Sequence, residues 1–443
     1  MRHGYLDFRF GVGRVTRFYV PLLLQAFSQS LTYPLVAGIV THGKFGVNAL
    51  TAFSQGQMIM FMIGALGNGL VTTGMVFAKT WYGYVSFKRL NALMMGALLA
   101  LQCVPAIAPL NRWLFEGFFG LSPELAEVSR WTLLAGVVMN GGFFLRNVPI
   151  VVLFNNLESG KANNATIARI LATLACAVTF PGRGLTGPWW GLFALTLGVW
   201  VELAVTWWYA RPYVRDLSES YRVDMGDAVL SPKKIVSLTW EQFRFTLPLS
   251  LGGLLLATSP IIIAAFVGHS ANAVDMLAVH YVTIGVANPV AYAALRMQPV
   301  AVKFLPEYAG DRRLLWYAIA AGAILGVVPL LFSFPFLGDW YFGHYQNVPE
   351  RILGTAELAI GIYSLISIIH AVRGRIEGIA AARKRPGAVM AGQIAYSASL
   401  LAACAVLLPL GCPGWLMALI AIFIAPVCTV VAVYAALARG GKG

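Results

Sequence analysis

The sequence has few charges and fewer acids. Among 443 residues there are 18 Asp and Glu and 32 Lys and Arg, and charged residues make up only 11% of the chain. A soluble domain carries about 25%, so the deficit argues against a water-exposed globular protein of this size. Cysteine is sparse as well. Cys103, Cys176, Cys404, Cys412 and Cys428 fit no metal-ligand spacing, and four of them sit inside apolar runs. That argues against a disulfide framework or a zinc site and for small apolar packing residues. A GxxxxGKS/T phosphate loop is absent, which argues against direct drive by ATP. No stretch could hold a soluble catalytic domain, and no nucleophile–base constellation stands at membrane depth. No enzyme, cofactor or metal ion is expected.

What the sequence has is apolar length. It is 58% hydrophobic, with a mean hydropathy of +0.72. Apolar runs of 18 or more residues recur, each long enough to cross about 30 Å of hydrocarbon as a helix. Twelve spans are expected, near 18–40, 48–78, 88–109, 125–153, 163–180, 187–209, 243–267, 273–303, 314–336, 351–378, 387–409 and 413–437. The first follows Arg14 and Arg17 and has no small-residue cleavage site, so it reads as a retained helix.

The net charge of +14 follows from loop topology and not from nucleic-acid binding. Twenty-three Lys and Arg, Lys161 and Arg169 among them, fall at the N-terminus, at the C-terminus and in loops after even-numbered spans. Four fall on the other side: Lys44, Arg112, Arg183 and Arg351. By the positive-inside rule both termini are cytoplasmic. The expectation is a monomeric multi-pass protein of a bacterial inner membrane. Trp189, Trp190, Trp207 and Trp208 bracket the sixth span as interfacial anchors. One long polar stretch, 211–242, reads as a cytoplasmic linker between two six-helix bundles, 1–210 and 243–443.

The halves resemble each other. Residues 19–42 read YVPLLLQAFSQSLTYPLVAGIVTH and residues 246–269 read TLPLSLGGLLLATSPIIIAAFVGH. Pro21 matches Pro248 and His42 matches His269 at an offset of 227, with Pro34 one residue out of register with Pro260. Six helices per half give both halves the same topology, a parallel repeat. The expected fold is all-α, with twelve transmembrane helices in two pseudo-symmetric bundles around a central cavity. The two prolines in the first helix of each half predict a bend there.

Arginine in hydrocarbon is costly, so each one inside an apolar span marks a candidate site. Arg146 and Arg296 stand seven residues before the expected cytoplasmic ends of helices 4 and 8, roughly 10 Å at 1.5 Å per residue, and Arg373 is slightly closer to the end of helix 10. Three guanidiniums at one depth can hold phosphate or carboxylate through bidentate hydrogen bonds. The alternative for each is snorkelling to the headgroups. Asn68, Asn147 and Gln298 are candidate lining residues beside them, Asn68 because its repeat equivalent falls beside Arg296. Gln55, Gln57, Asn140 and Asn288 are further polar positions, and any of these can instead join helices. Glu202, Glu357 and His280 are candidates for ion coupling. The alternative for Glu202 is an ion pair with an arginine of another helix, and for His280 a structural role. Arg375 and Glu377 read as an interfacial pair.

RFYVPL at 17–22, GMVF at 74–77, ALRMQPV at 294–300, VRGRIEG at 372–378 and ARKR at 382–385 carry a family resemblance over nearly the whole chain. The chain resembles the multidrug/oligosaccharidyl-lipid/polysaccharide (MOP) flippase superfamily, and within it the progressive ankylosis (ANK) family. The resemblance implies a MATE-like fold of two six-helix bundles and export of pyrophosphate-, nucleotide- or citrate-like anions. Other branches flip diphosphate-linked lipids or expel cationic drugs, the latter often with an acidic residue in the first helix. Residues 18–40 contain no Asp or Glu. The expected function is a secondary transporter moving an anionic solute outward by alternating access. The alternatives are a flippase for a lipid-linked phosphate or diphosphate and a cation-coupled multidrug exporter. The expected partners are that anionic small molecule or lipid-linked phosphate, and membrane lipids.

Overall fold

The computed structural model describes residues 10–44, 46–225, 231–308, 310–346 and 348–439, and among them there are helices and turns but no strand. A chain in hydrocarbon must satisfy its backbone internally, which helices do. Buried hydroxyls follow the same rule. Thr173, Thr206 and Thr429 each donate to the carbonyl four residues earlier on their own helix. Eleven helices or helix pairs among the described residues are long and apolar enough to cross a membrane. Helix α1 (Val12–Thr41), thirty residues long, precedes them. The chain is a multi-pass membrane protein.

The chain divides into two compact units, and both divisions fall inside helices. Residues Phe27–Ser250 form one unit, and Met1–Ala26 belongs with Leu251–Gly443 in the other. The first unit holds the second half of α1, then α2 (Gly46–Ala65), α3 (Gly69–Phe77), α4 (Trp81–Cys103), α5 (Pro123–Asn155), α6 (Ser159–Gly182) and α7 (Pro188–Met225). It ends with most of α8 (Pro232–Ala257). There Thr246 meets Thr73 at 2.7 Å and the Gln242 amide donates to the Gly83 carbonyl. The second unit holds α9 (Ser259–Gly268), α10 (Ala273–Leu295), α11 (Met297–Lys303), α12 (Arg313–Leu331), α13 (Pro335–Gly338), α14 (Glu350–Tyr363), α15 (Ile366–Ala382), α16 (Pro386–Leu407) and α17 (Gly414–Arg439). The start of α1 packs there through Phe18 against Phe304 and Thr16 against Tyr317.

The stretch expected as a linker is largely helical: α7 continues to Met225 and α8 begins at Pro232, while 226–230 lie outside the described residues. Its charges read as a loop because they suit water, but a solvated helix suits them equally. Arg215 and Glu219 pair at 2.6 Å, one turn apart on α7.

The repeat extends to the helix boundaries. The difference between 112 and 339, again 227, carries the π-helical turn Arg112–Phe118 onto Asp339–Tyr345. It carries the start of α5 onto that of α14, the end of α5 onto that of α15, and the start of α6 onto that of α16. The matched histidines do one job. Nδ1 of His42 and of His269 each bonds the carbonyl four residues back, Gly38 or Ala265, at 2.7 Å, closing a helix end. The expected bends differ between the halves. Helix α1 runs unbroken through Pro21, and the side chain of Pro34 lies outside the described residues. Helix α8 ends at Ala257, and Pro260 falls in the first turn of α9.

Glycine sets the closest approaches. On α15, Gly374 and Gly378 lie against the backbone of Leu295 and Gln298, and on α12, Gly322 and Gly326 lie against that of Ser364–Ile368. Small residues let helix backbones meet in this way. The loop before α12 is closed by Asp311. Its carboxylate accepts two bonds of 2.9 Å from the Arg313 guanidinium, and one each from the backbone N–H of Arg313 and Glu307. The Arg313 guanidinium foremost, and then those N–H groups, hold the Asp311 carboxyl well below the usual carboxylate range, against the opposing effect of burial.

Two outcomes follow from this packing. Gly378→Leu lowers the melting temperature in detergent strongly, because a side chain there meets the Gln298 backbone, whereas Gly96→Leu, with open space around it, leaves it unchanged. The Asp311 contribution is fully present above its unfolded pKa of about 3.9 and is lost as pH falls through the depressed folded value. Acid titration of thermal stability therefore falls less steeply below pH 4 in Asp311→Asn than in the parent.

Candidate functional site

Three helices of the first unit bring charged side chains together inside it. Glu202 sits midway along α7 and is fully buried. Its Oε2 accepts from Arg146 Nη1 on α5 at 2.7 Å and from Arg169 Nη1 on α6 at 3.1 Å. Its Oε1 accepts from the Thr166 hydroxyl at 2.6 Å. Arg169 also reaches the Thr32 hydroxyl on α1 at 3.4 Å. Two guanidiniums share one carboxylate, so the cluster holds one excess positive charge. Arg169 is the deeper arginine, its side chain 4% exposed against 13% for Arg146. The Arg146 guanidinium lies over the Phe143 ring at 4.9 Å, and its Nε is buried without a hydrogen-bond partner. Arg146 is thus the accessible edge of the cluster.

The second unit has a counterpart. Arg373 on α15 is 2% exposed. Its Nε donates to Glu377 at 2.9 Å, and its guanidinium lies over the Tyr396 ring at 5.0 Å. Glu377 therefore pairs with Arg373 inside the unit, and not with Arg375 at the interface. A spacing of four on a helix brings two side chains together, whereas a spacing of two does not. Arg296 caps α11 on a segment packed directly against Gly374, so it neighbours the helix of Arg373. The three expected arginines are thus divided, Arg146 in one unit and Arg296 with Arg373 in the other.

The remaining candidates differ in their surroundings. Asn68 is exposed at the break between α2 and α3, one residue from the repeat position of Arg296. Asn147 is buried and donates to Asn91, whose amide donates to the Phe144 carbonyl. This is a contact between helices. Asn140 likewise bonds Gln102 at 2.7 Å. Gln298 is half-buried, and its backbone meets Gly374 and Gly378. His280 is buried with Nδ1 unpartnered. Glu357 is half-buried beside Gly338 and lines an open pocket of about 410 Å³ with Ser333, Gly354 and Gly361.

Sequence reasoning missed Arg169, counting it among the cytoplasmic charges although its span was drawn from 163. The signal was present. Ala162, Thr166, Arg169, Thr173 and Cys176 recur at helical spacing and form the buried face of α6. A charge inside that stripe belongs to the bundle.

No protein-family model matches the chain, and no curated protein matches its sequence. Solved structures do match its fold. The eukaryotic MATE transporter AtDTX14 aligns at a TM-score of 0.74 with 14% identity, covering 96% of this chain and 95% of that one. An outward-facing multidrug resistance MATE transporter of the MOP superfamily aligns at 0.70 with 17% identity, covering 99% and 98%. A MOP superfamily transporter from Pyrococcus furiosus, described as having a binding pocket of reverse polarity that suggests a different function, aligns at 0.69 with 15% identity, covering 96% of each chain. The chain has the MATE fold.

Removing one member of a buried ion pair leaves the other uncompensated, at a cost of about 3–5 kcal/mol. Glu202→Ala, which strips two buried guanidiniums of their carboxylate, should destabilise the protein by that order in detergent unfolding, and Arg169→Ala, which leaves Glu202 paired with Arg146, by less. The exposed pair Arg215–Glu219 should lose about 0.5 kcal/mol or less when broken.

Proposed function

We propose that the protein is a secondary transporter that moves an anionic solute outward across the membrane by alternating access. The observation that carries this reading is the excess positive charge of the Arg146–Arg169–Glu202 cluster inside a membrane-spanning bundle. In a low-dielectric interior such a charge attracts an anion and repels a cation. Two buried carboxylates of the membrane-spanning helices are already engaged, Glu202 by two arginines and Glu377 by Arg373, while Glu357 stands half-buried in an open pocket with one oxygen unpartnered. The first helix offers no acid in their place. This favours an anion over the drugs implied by the multidrug resistance relative. The Pyrococcus transporter, with its pocket of reverse polarity, is a precedent for a change of substrate charge on the same fold.

Each unit offers its own guanidinium to a phosphate or carboxylate, Arg146 in the first and Arg373, with Arg296 on the neighbouring segment, in the second. The membrane potential, negative inside, favours anion exit by about 2.3 kcal/mol per charge per 100 mV, so an exporter of this kind needs little ion coupling. A lipid-linked phosphate presents the same headgroup chemistry.

The test is efflux of labelled pyrophosphate and citrate from proteoliposomes. An inside-negative potential should accelerate efflux. Arg146→Gln and Arg373→Gln should each lower it at least tenfold, in protein that still runs as a single species on size exclusion. Parental efflux in the double variant would refute the reading.

A further inference from the structure

The two buried clusters occupy the same positions of the repeat. The offset of 227 carries Thr32, Arg146, Thr166, Arg169 and Glu202 onto Ser259, Arg373, Gln393, Tyr396 and Thr429 in turn. Every residue of the first set is joined to another of that set by a hydrogen bond. All five counterparts are buried in the second unit. The scaffold is therefore duplicated down to single positions, while the chemistry is not.

The decisive difference is at one position. In the first unit the arginine of α5 donates through a terminal nitrogen to the carboxylate of Glu202. In the second unit threonine stands at that position, and its hydroxyl turns back to the Ala425 carbonyl. Arg373 keeps its charge, but its one carboxylate, Glu377, takes Nε. Its terminal nitrogens donate to no described residue. On the helices of the same unit other buried polar atoms lack hydrogen-bond partners: the Ser259 hydroxyl, the Gln393 side-chain oxygen and the hydroxyl of Tyr363. Ser259 and Tyr363 both lie near the Tyr396 hydroxyl, and the Tyr396 ring carries the Arg373 guanidinium. The Gln393 amide occupies the space that a side chain at position 252 would take, which only glycine leaves open. A buried polar group without a partner costs free energy, and two of these hydroxyls lie beside the tyrosine whose ring carries the guanidinium.

We infer that the second unit binds an oxyanion, phosphate or carboxylate, at the place where Glu202 puts its carboxylate in the first. Arg373 holds it through its terminal nitrogens, and the hydroxyls of Tyr396 and Ser259 and the amide N–H group of Gln393 donate to it to complete the shell. The carboxylate of Glu202 is the built-in likeness of that ligand. Its bonds to a guanidinium and to the hydroxyl at the Gln393 position give the contact pattern the ligand reproduces. The inference rests on the anion-transport reading and assigns its binding site to one unit. The ligand's source is either a soluble anion or a lipid headgroup.

The experiment measures binding to the purified full chain, by thermal shift and calorimetry. The probes are pyrophosphate and citrate for a soluble source, and phosphatidic acid in mixed micelles for a lipid source. At least one probe should raise the melting temperature of the parent, since a ligand of the folded state stabilises it. Thr429→Glu supplies the missing carboxylate internally and should abolish that shift. A second variant, Ser259→Ala with Tyr396→Phe, removes two hydroxyls without adding charge. It should weaken binding at least tenfold and leave the melting temperature without probe close to that of the parent, because the two hydroxyls face each other and are removed together. The inference is overturned if no probe binds the parent, or if the double variant binds as the parent does. Binding lost in Arg146→Gln but kept in Arg373→Gln and in the double variant would also overturn it. Anion transport would then stand with its site in the first unit. A response to phosphatidic acid alone identifies a lipid headgroup as the ligand of the same site.

Discussion

A charge on a membrane-spanning helix must be answered by another protein group, because hydrocarbon supplies no water to do so. The interior of the first unit is organised around that requirement. One carboxylate, Glu202, answers two guanidiniums and a hydroxyl, and through Arg169 the set reaches Thr32. Helices α1, α5, α6 and α7 are thereby joined at one point. Neither arginine could remain at its depth without the acid, and the acid could not remain without them. What is left over, one net positive charge shared by two guanidiniums around one carboxylate, is the property from which the functional reading grows.

The second unit meets the same constraint differently. Arg373 is answered by Glu377, a neighbour one turn along its own helix, and by the face of Tyr396. This local partner takes Nε and not the terminal nitrogens of the guanidinium. The repeat thus keeps a common frame, down to matched π-helical turns and matched histidine caps, while the residues on that frame diverge. Backbone contacts at Gly374 and Gly378 tie α15 to the segment of Arg296. The two arginines of this unit therefore stand on backbone segments in direct contact.

Much of this was legible in the chain. Apolar length gave the helices, and the spacing of Pro21, Pro248, His42 and His269 gave the repeat. Arg146 and Arg373 stood out because arginine is rare in such segments. The errors have physical causes. Arg169 lies close to the end of its span, where hydropathy cannot tell a buried turn from a loop. Glu377 was given to Arg375, its neighbour in sequence, although helical spacing favours Arg373. The stretch 211–242 was read as a linker because charge signals water, and a helix that leaves the membrane into water has the same composition.

The sequence by itself determined that the protein spans a membrane many times, that its halves are duplicated, and which rare charges lie inside. These properties are sums and periods along one chain, and they survive without knowledge of what faces what. Only the tertiary structure decided that Glu202 answers Arg146 and Arg169 together, and that the matching place in the second unit holds Thr429 and no acid. Pairing depends on which faces of four separate helices meet. Facing is set by packing across long stretches of chain, which a pattern read along one helix at a time does not contain.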